Sequence, residues 1–131
     1  MRGLWNLFRE IYPKRKKERK EHMKIHEAIT EMGNMIPDHN VSEDLLFTWL
    51  SRIEGLVVAE IHRGKSANTK YTKEHNEVSL IVPDPYSVIY PLYLQTMAYL
   101  YLGEYDRYNH LNSVFNNAWS DYAKYHIRNN K

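Results

Sequence analysis

The chain has 131 residues and a formal net charge of +2, enough for one domain around a single core. It contains no cysteine, which excludes disulfides and thiolate metal sites and fits a reducing cytosolic origin. Charge is unevenly spread. Residues 1–24 carry nine Lys/Arg against three Glu, and residues 25–131 carry nine against thirteen Asp/Glu, so a basic arm precedes a mildly acidic body.

The first 22 residues read as that arm, either disordered or upstream of a natural start at Met23, with the domain proper over 23–131. Leu4, Leu7, Phe8 and Ile11 recur at helical spacing until Pro13 interrupts, and the run Lys14–Lys20 follows. Lys14, Arg15, Lys16, Lys17, Arg19 and Lys20 are the candidate nucleic-acid contacts, because cations attract phosphate without needing a fold. The plainer account is a solvated charged arm. Insertion of Leu4, Trp5 and Phe8 into a membrane surface is a third option. The start lacks a continuous apolar stretch and a small-residue cleavage site, so no secretory signal is expected.

A short helix is expected over 23–32, with Ile25, Ile29 and Met32 on one face and Gly33-Asn34 as the stop. Ser42 is the expected N-cap of the next helix, with Glu43 and Asp44 in its first turn, where the helix dipole favours negative charge. Leu46, Trp49, Leu50, Ile53, Leu56, Val57 and Ile61 then repeat at three- and four-residue steps, predicting an amphipathic helix ending near His62. Phe47 and Val58 widen its apolar arc. Either the helix is partly central, or those two residues form a face for a neighbouring subunit.

Residues 63–77 carry no helical period and read as a polar loop. Val78–Val82 is β-branched and suits a short strand, which needs a partner in that loop or in another chain. Asp84-Pro85 opens a third helix that is apolar on nearly every side, with polar residues only at Ser87, Gln95 and Thr96. Such a rod belongs at the centre of an assembly. Pro91 either kinks this helix or marks its regular start, and Gly103 ends it. Tyr86, Tyr90, Tyr93, Tyr99 and Tyr101 supply much of its surface, and each hydroxyl needs a partner or water. This favours a surface that another chain covers. The run Val88–Leu102 is shorter than the ~20 residues of a membrane span, and no membrane partner is expected.

The last helix, expected over 104–129, has the cleanest stripe: Tyr105, Tyr108, Leu111, Phe115, Trp119, Tyr122 and Tyr125. Trp119 sits at its centre, where truncation to alanine is expected to cost about 3–5 kcal/mol. The fold expected is all-α: a four-helix, mostly antiparallel bundle with a long C-terminal helix and a polar loop or small β element between helices two and three.

Catalytic motifs are missing. The chain has no glycine-rich phosphate loop, no GxSxG and no HExxH. His22 and His26, spaced four apart, lack a third ligand and read as surface histidines. No carboxylate pair assembles, and the aromatic stripe suits core packing better than base stacking. No enzyme activity and no cofactor are expected. The candidate subunit or partner contacts are Phe47, Val58, Tyr101, Tyr105, Arg107 and Tyr108.

Several of these residues also carry a resemblance. Pro83, Pro85 and Tyr86, then Tyr90, Tyr93 and Leu94, then Gly103-Glu104-Tyr105 with Arg107-Tyr108-Asn109, then Phe115-Asn116 and Tyr122-Ala123 resemble the C-terminal half of a family of small tailed-phage proteins. These are encoded near the capsid genes of phages and prophages of low-GC Gram-positive bacteria and are assigned as head–tail connectors or adaptors. Asp44-Leu45-Leu46, Trp49-Leu50 and Ile53-Glu54 are similar to the preceding helix of that family. The resemblance spans about residues 42–128. It implies an all-helical virion protein, made in the bacterial host cytoplasm, that forms a ring beneath the portal protein and joins it to the next neck or tail-completion protein. Residues 1–22 have no counterpart in the family, and only Asn129-Asn130-Lys131 follow the last helix where related adaptors often carry a longer tail. Two other classes stand beside it: a DNA-binding or packaging accessory acting through the basic arm, and an intracellular regulator or enzyme subunit acting through a partner.

Overall fold

The computed structural model describes residues 21–64 and 70–130. The basic run Lys14–Lys20 and all its candidate phosphate contacts lie outside them, as do residues 65–69 of the polar loop. The described residues form four helices and a two-stranded antiparallel sheet. In chain order these are strand β1 (His22–Lys24), helix α1 (Ile25–Met35), helix α2 (Glu43–Leu56) continued by a π-turn at Val57–Ile61, strand β2 (Ser79–Pro83), helix α3 (Ile89–Tyr101) and helix α4 (Tyr105–Asn129). The expected all-α class with a small β element is what the chain adopts.

The partner of the 78–82 strand is the segment just before the first helix. His22 lies opposite Pro83 and Lys24 opposite Ser79. The Asp84 N–H donates to the Glu21 carbonyl at 2.8 Å, and His22 Nδ1 lies 2.8 Å from the Leu80 carbonyl. The folded unit therefore begins before Met23, and the expected boundary at residue 22 falls inside β1. It also separates His22 from His26. They sit on different elements rather than one helix face, and His26 faces Glu77 at 3.5 Å.

Helix α1 starts where Glu27 reaches back to accept from the Lys24 N–H at 2.8 Å, half of a capping box. It runs past the expected stop at Gly33-Asn34. A glycine inside a helix costs about 1 kcal/mol, and continuing the helix lets Ile36 join Ile25, Ala28 and Met32 in the core. Ser42 caps α2 as expected, its hydroxyl accepting from the Leu45 N–H at 3.2 Å. Leu46, Phe47, Trp49, Leu50, Ile53 and Val57 are all buried, and Phe47 is only 3 % exposed. The wide apolar arc is thus covered within the chain, which makes α2 a partly central helix and withdraws Phe47 as a partner contact.

Helix α3 is the innermost element, with Ile89, Tyr90, Pro91, Leu94 and Ala98 buried. A 3₁₀ turn at Tyr86–Val88 precedes it, so Pro91 falls in the first helical turn, where its missing N–H has no intrahelical acceptor to lose. Thr96 satisfies its hydroxyl on the Leu92 carbonyl at 2.7 Å. Tyr90 is fully buried without any second chain. Its hydroxyl accepts from the Val82 N–H at 3.0 Å and donates to Glu54. Helix α4 packs chiefly along α3 through Tyr93 against Phe115, with ring centroids 5.5 Å apart. Only Tyr122 of α4 is fully buried. Trp119 is half-buried, so its expected place at the centre of the core is corrected: the deepest point of the stripe lies one turn further on.

Candidate partner-binding surface

The α3–α4 junction is built by one glycine. Gly103 has φ +77°, a left-handed conformation that side chains resist. Its N–H donates to the Leu100 carbonyl at 3.1 Å and the Glu104 N–H donates to the Tyr99 carbonyl at 2.9 Å. This pair of bonds is a Schellman motif, and it satisfies carbonyls that the helix end would otherwise orphan. The chain turns sharply there, and the turn leaves apolar side chains pointing outward.

Leu100, Tyr101, Leu102 and Tyr105 are all exposed, Tyr101 by 63 % and Tyr105 by 62 %. Tyr101 is not loose. Its ring meets the buried Trp49 edge-on, with centroids 6.2 Å apart and planes at 71°, so α2 braces it from beneath. Arg107 lies 5.6 Å from the centroid of Tyr99 and 3.6 Å from Glu104. The cation–π contact positions the guanidinium, while the exposed ion pair adds little stability. An open groove of about 420 Å³ is lined by Met35 of α1, Gln95 and Tyr99 of α3, and Arg107 and Leu111 of α4, among others.

Of the residues expected to meet a partner, Tyr101 is exposed at the end of α3 against Trp49, Tyr105 and Arg107 line one shallow surface at the start of α4, and Tyr108 follows them half-buried on α4. Phe47 is in the core. Val58 is half-buried in the π-turn more than two helical turns beyond Trp49, where its carbonyl accepts from the Gly64 N–H at 2.9 Å; it does not belong to the corner. Leu100 and Leu102, exposed at the same helix end, were not among the residues expected there. Their position beside a glycine stop was the available signal, since a helix that ends in a sharp turn strips the last apolar side chains of neighbours.

Sequence reasoning also missed a buried polar centre. Glu54 on α2 is 5 % exposed and collects hydrogen bonds from the Tyr90 hydroxyl, the Ile81 N–H at 2.8 Å and the Tyr71 hydroxyl at 3.3 Å. Burial pushes its carboxyl above the usual range, and the bonds from Tyr90, Ile81 and Tyr71 oppose that rise. Burial and the neighbouring Glu54 push the Tyr71 and Tyr90 hydroxyls upward as well. The spacing Leu50, Glu54, Val57, Ile61 places this carboxylate on the buried stripe, and that was the legible sign. The arrangement ties β2 and the Tyr71 segment to α2 and α3.

The chain matches no family model, no curated protein and no solved structure. Among the described residues no helix is long and apolar enough to cross a membrane.

Proposed function

We propose that this protein is a structural subunit of a phage virion, a connector that forms a ring and joins the portal to the neck or tail, with no enzymatic activity of its own. The observation that carries the reading is the braced apolar corner of Leu100, Tyr101, Leu102 and Tyr105. Contiguous exposed apolar surface marks a place where another protein binds, and aromatic side chains anchored from below are the preferred anchors of such interfaces. The corner coincides with the Gly103-Glu104-Tyr105 run that carries the resemblance to head–tail connectors. A ring requires a heterologous contact, in which one face of each copy meets a different face of the next; the corner is one such face.

Electron microscopy of the full chain mixed with the portal protein from its own genome tests the reading, together with mass spectrometry of purified virions. Added density on the portal, lost when Tyr101 and Tyr105 are both changed to Asp, is the expected result. Absence of density and of the protein from virions overturns it. Salt-sensitive DNA binding that disappears with residues 1–20 would then favour the packaging accessory.

A further inference from the structure

We propose that the C-terminal end of α4 is fastened to the end of α2 by an acid-sensitive latch made of His62, Tyr122 and His126. The imidazoles of His62 and His126 are stacked, with centroids 4.2 Å apart and planes within 11°. His62 Nε2 lies 2.8 Å from the Tyr122 hydroxyl, and Tyr122 is the one α4 residue driven fully into the core. His62 itself is fixed by the end of the π-turn, where its N–H donates to the Val57 carbonyl at 3.0 Å. His126 is steadied by Asn130, whose amide donates to the His126 carbonyl at 2.9 Å. Three side chains from two distant elements therefore converge on one contact.

Two neutral imidazoles stack favourably, and one proton shared between them is tolerated. Two protons place like charges at stacking distance, which is repulsive. The surroundings offer little relief. From α4 the groups facing His62 are Tyr122 and His126, and Tyr125 packs on Tyr122. From the 3₁₀ turn, Tyr86 packs on Tyr122 and Tyr125. From α2, Glu54 acts on Tyr122 rather than on the imidazoles. Glu60 and Arg63 flank His62 in sequence, while Asp121, Lys124 and Arg128 stay on the exposed side of α4. Among the described residues no carboxylate is ion-paired with either imidazole.

Burial and then the charge on His126 hold the His62 pKa below the ordinary histidine value. A depressed histidine is protonated more readily in the opened state, so the latch contributes stability above about pH 6.5 and loses it as pH falls through the folded value. The packing of Tyr93 on Phe115 remains, which confines the opening to the last turns of α4.

Hydrogen exchange across the full chain, corrected for intrinsic rates, together with NMR titration of the histidines from about pH 8 to about pH 5, tests the latch. Protection of residues 122–129 is expected to fall severalfold with acid while that of residues 89–98 holds. His126→Phe keeps a stacked ring without a charge, so it should retain protection in acid and raise the His62 pKa. If residues 122–129 keep their protection in acid, or if His126→Phe opens as readily as the natural chain with His62 titrating unchanged, the proposal fails.

Discussion

At the scale of single residues, Glu54 shows how a buried charge is kept. Its desolvation is only partly offset by three donors, one of them a backbone N–H that cannot turn away. Glu54→Gln supplies only one acceptor oxygen, so either Ile81 N–H or the Tyr90 hydroxyl loses its partner. A cost of about 1–3 kcal/mol is expected in urea denaturation, with Glu54→Ala costing more because every donor is orphaned. The pH dependence has a definite sign. A carboxyl raised on folding stabilises most below about pH 4.5 and progressively less as pH rises through its folded value, so Glu54→Gln should remove that fall and make stability climb more steeply from acid towards neutral pH. Tyrosines behave alike at the other extreme. Burial first, then Tyr125 and Glu54, push Tyr122 up to about 12, and Tyr71 and Tyr90 are also raised. Stability contributed by these phenols is present below about pH 10 and lost as pH rises through the folded values. The phenolate absorbance of Tyr71, Tyr90 and Tyr122 should therefore appear only as helicity disappears.

At the scale of elements, the α3–α4 turn and the α4 stripe make separable predictions. An alanine Cβ at Gly103 would meet nothing within 4 Å, so the effect of Gly103→Ala is conformational: about 1–2 kcal/mol for holding a left-handed alanine, read as a lower denaturation midpoint. Trp119 is half-buried and touches Phe115 at 5.8 Å between centroids. Its truncation should cost about 1–3 kcal/mol, less than a ring at the centre of a core, whereas the exposed Asp121→Ala should stay within about 0.5 kcal/mol. The cap of α2 and the stop of α3 were legible because Ser42 and Gly103 act through local backbone chemistry, whereas the expected opening of α3 at Asp84-Pro85 is corrected: a 3₁₀ turn at Tyr86–Val88 intervenes and the α-helix begins at Ile89. The depth of each α4 side chain was not, because periodicity names the inward face but not how far neighbouring helices rise to cover it. For the same reason Phe47 looked spare on a helical wheel although α2 is covered on both flanks. The pairing of β2 was hidden because its partner, His22–Lys24, has no strand-like pattern and takes its register from the chain entering α1.

At the scale of the whole molecule, the start of the folded unit decides which truncation is harmless. Two of the bonds that close the sheet come from residues before Met23: the Glu21 carbonyl accepting from Asp84 and the His22 ring against the Leu80 carbonyl. Asp84 in turn accepts from Ser87 at the entry to α3, so the sheet edge and the innermost helix share this corner. A chain beginning at Glu21 should melt cooperatively with a midpoint close to that of the full chain. A chain beginning at Met23 loses both bonds and should be less stable by about 1–3 kcal/mol, at about 0.5–1.5 kcal/mol for each hydrogen bond. Both should keep their helical circular dichroism, because the helices and their caps lie further on. Equal midpoints for the two truncations would mean that β1 is an ornament of the fold. A collapse of helicity on removing residues 1–20 would mean that the arm, and not this sheet, completes the core.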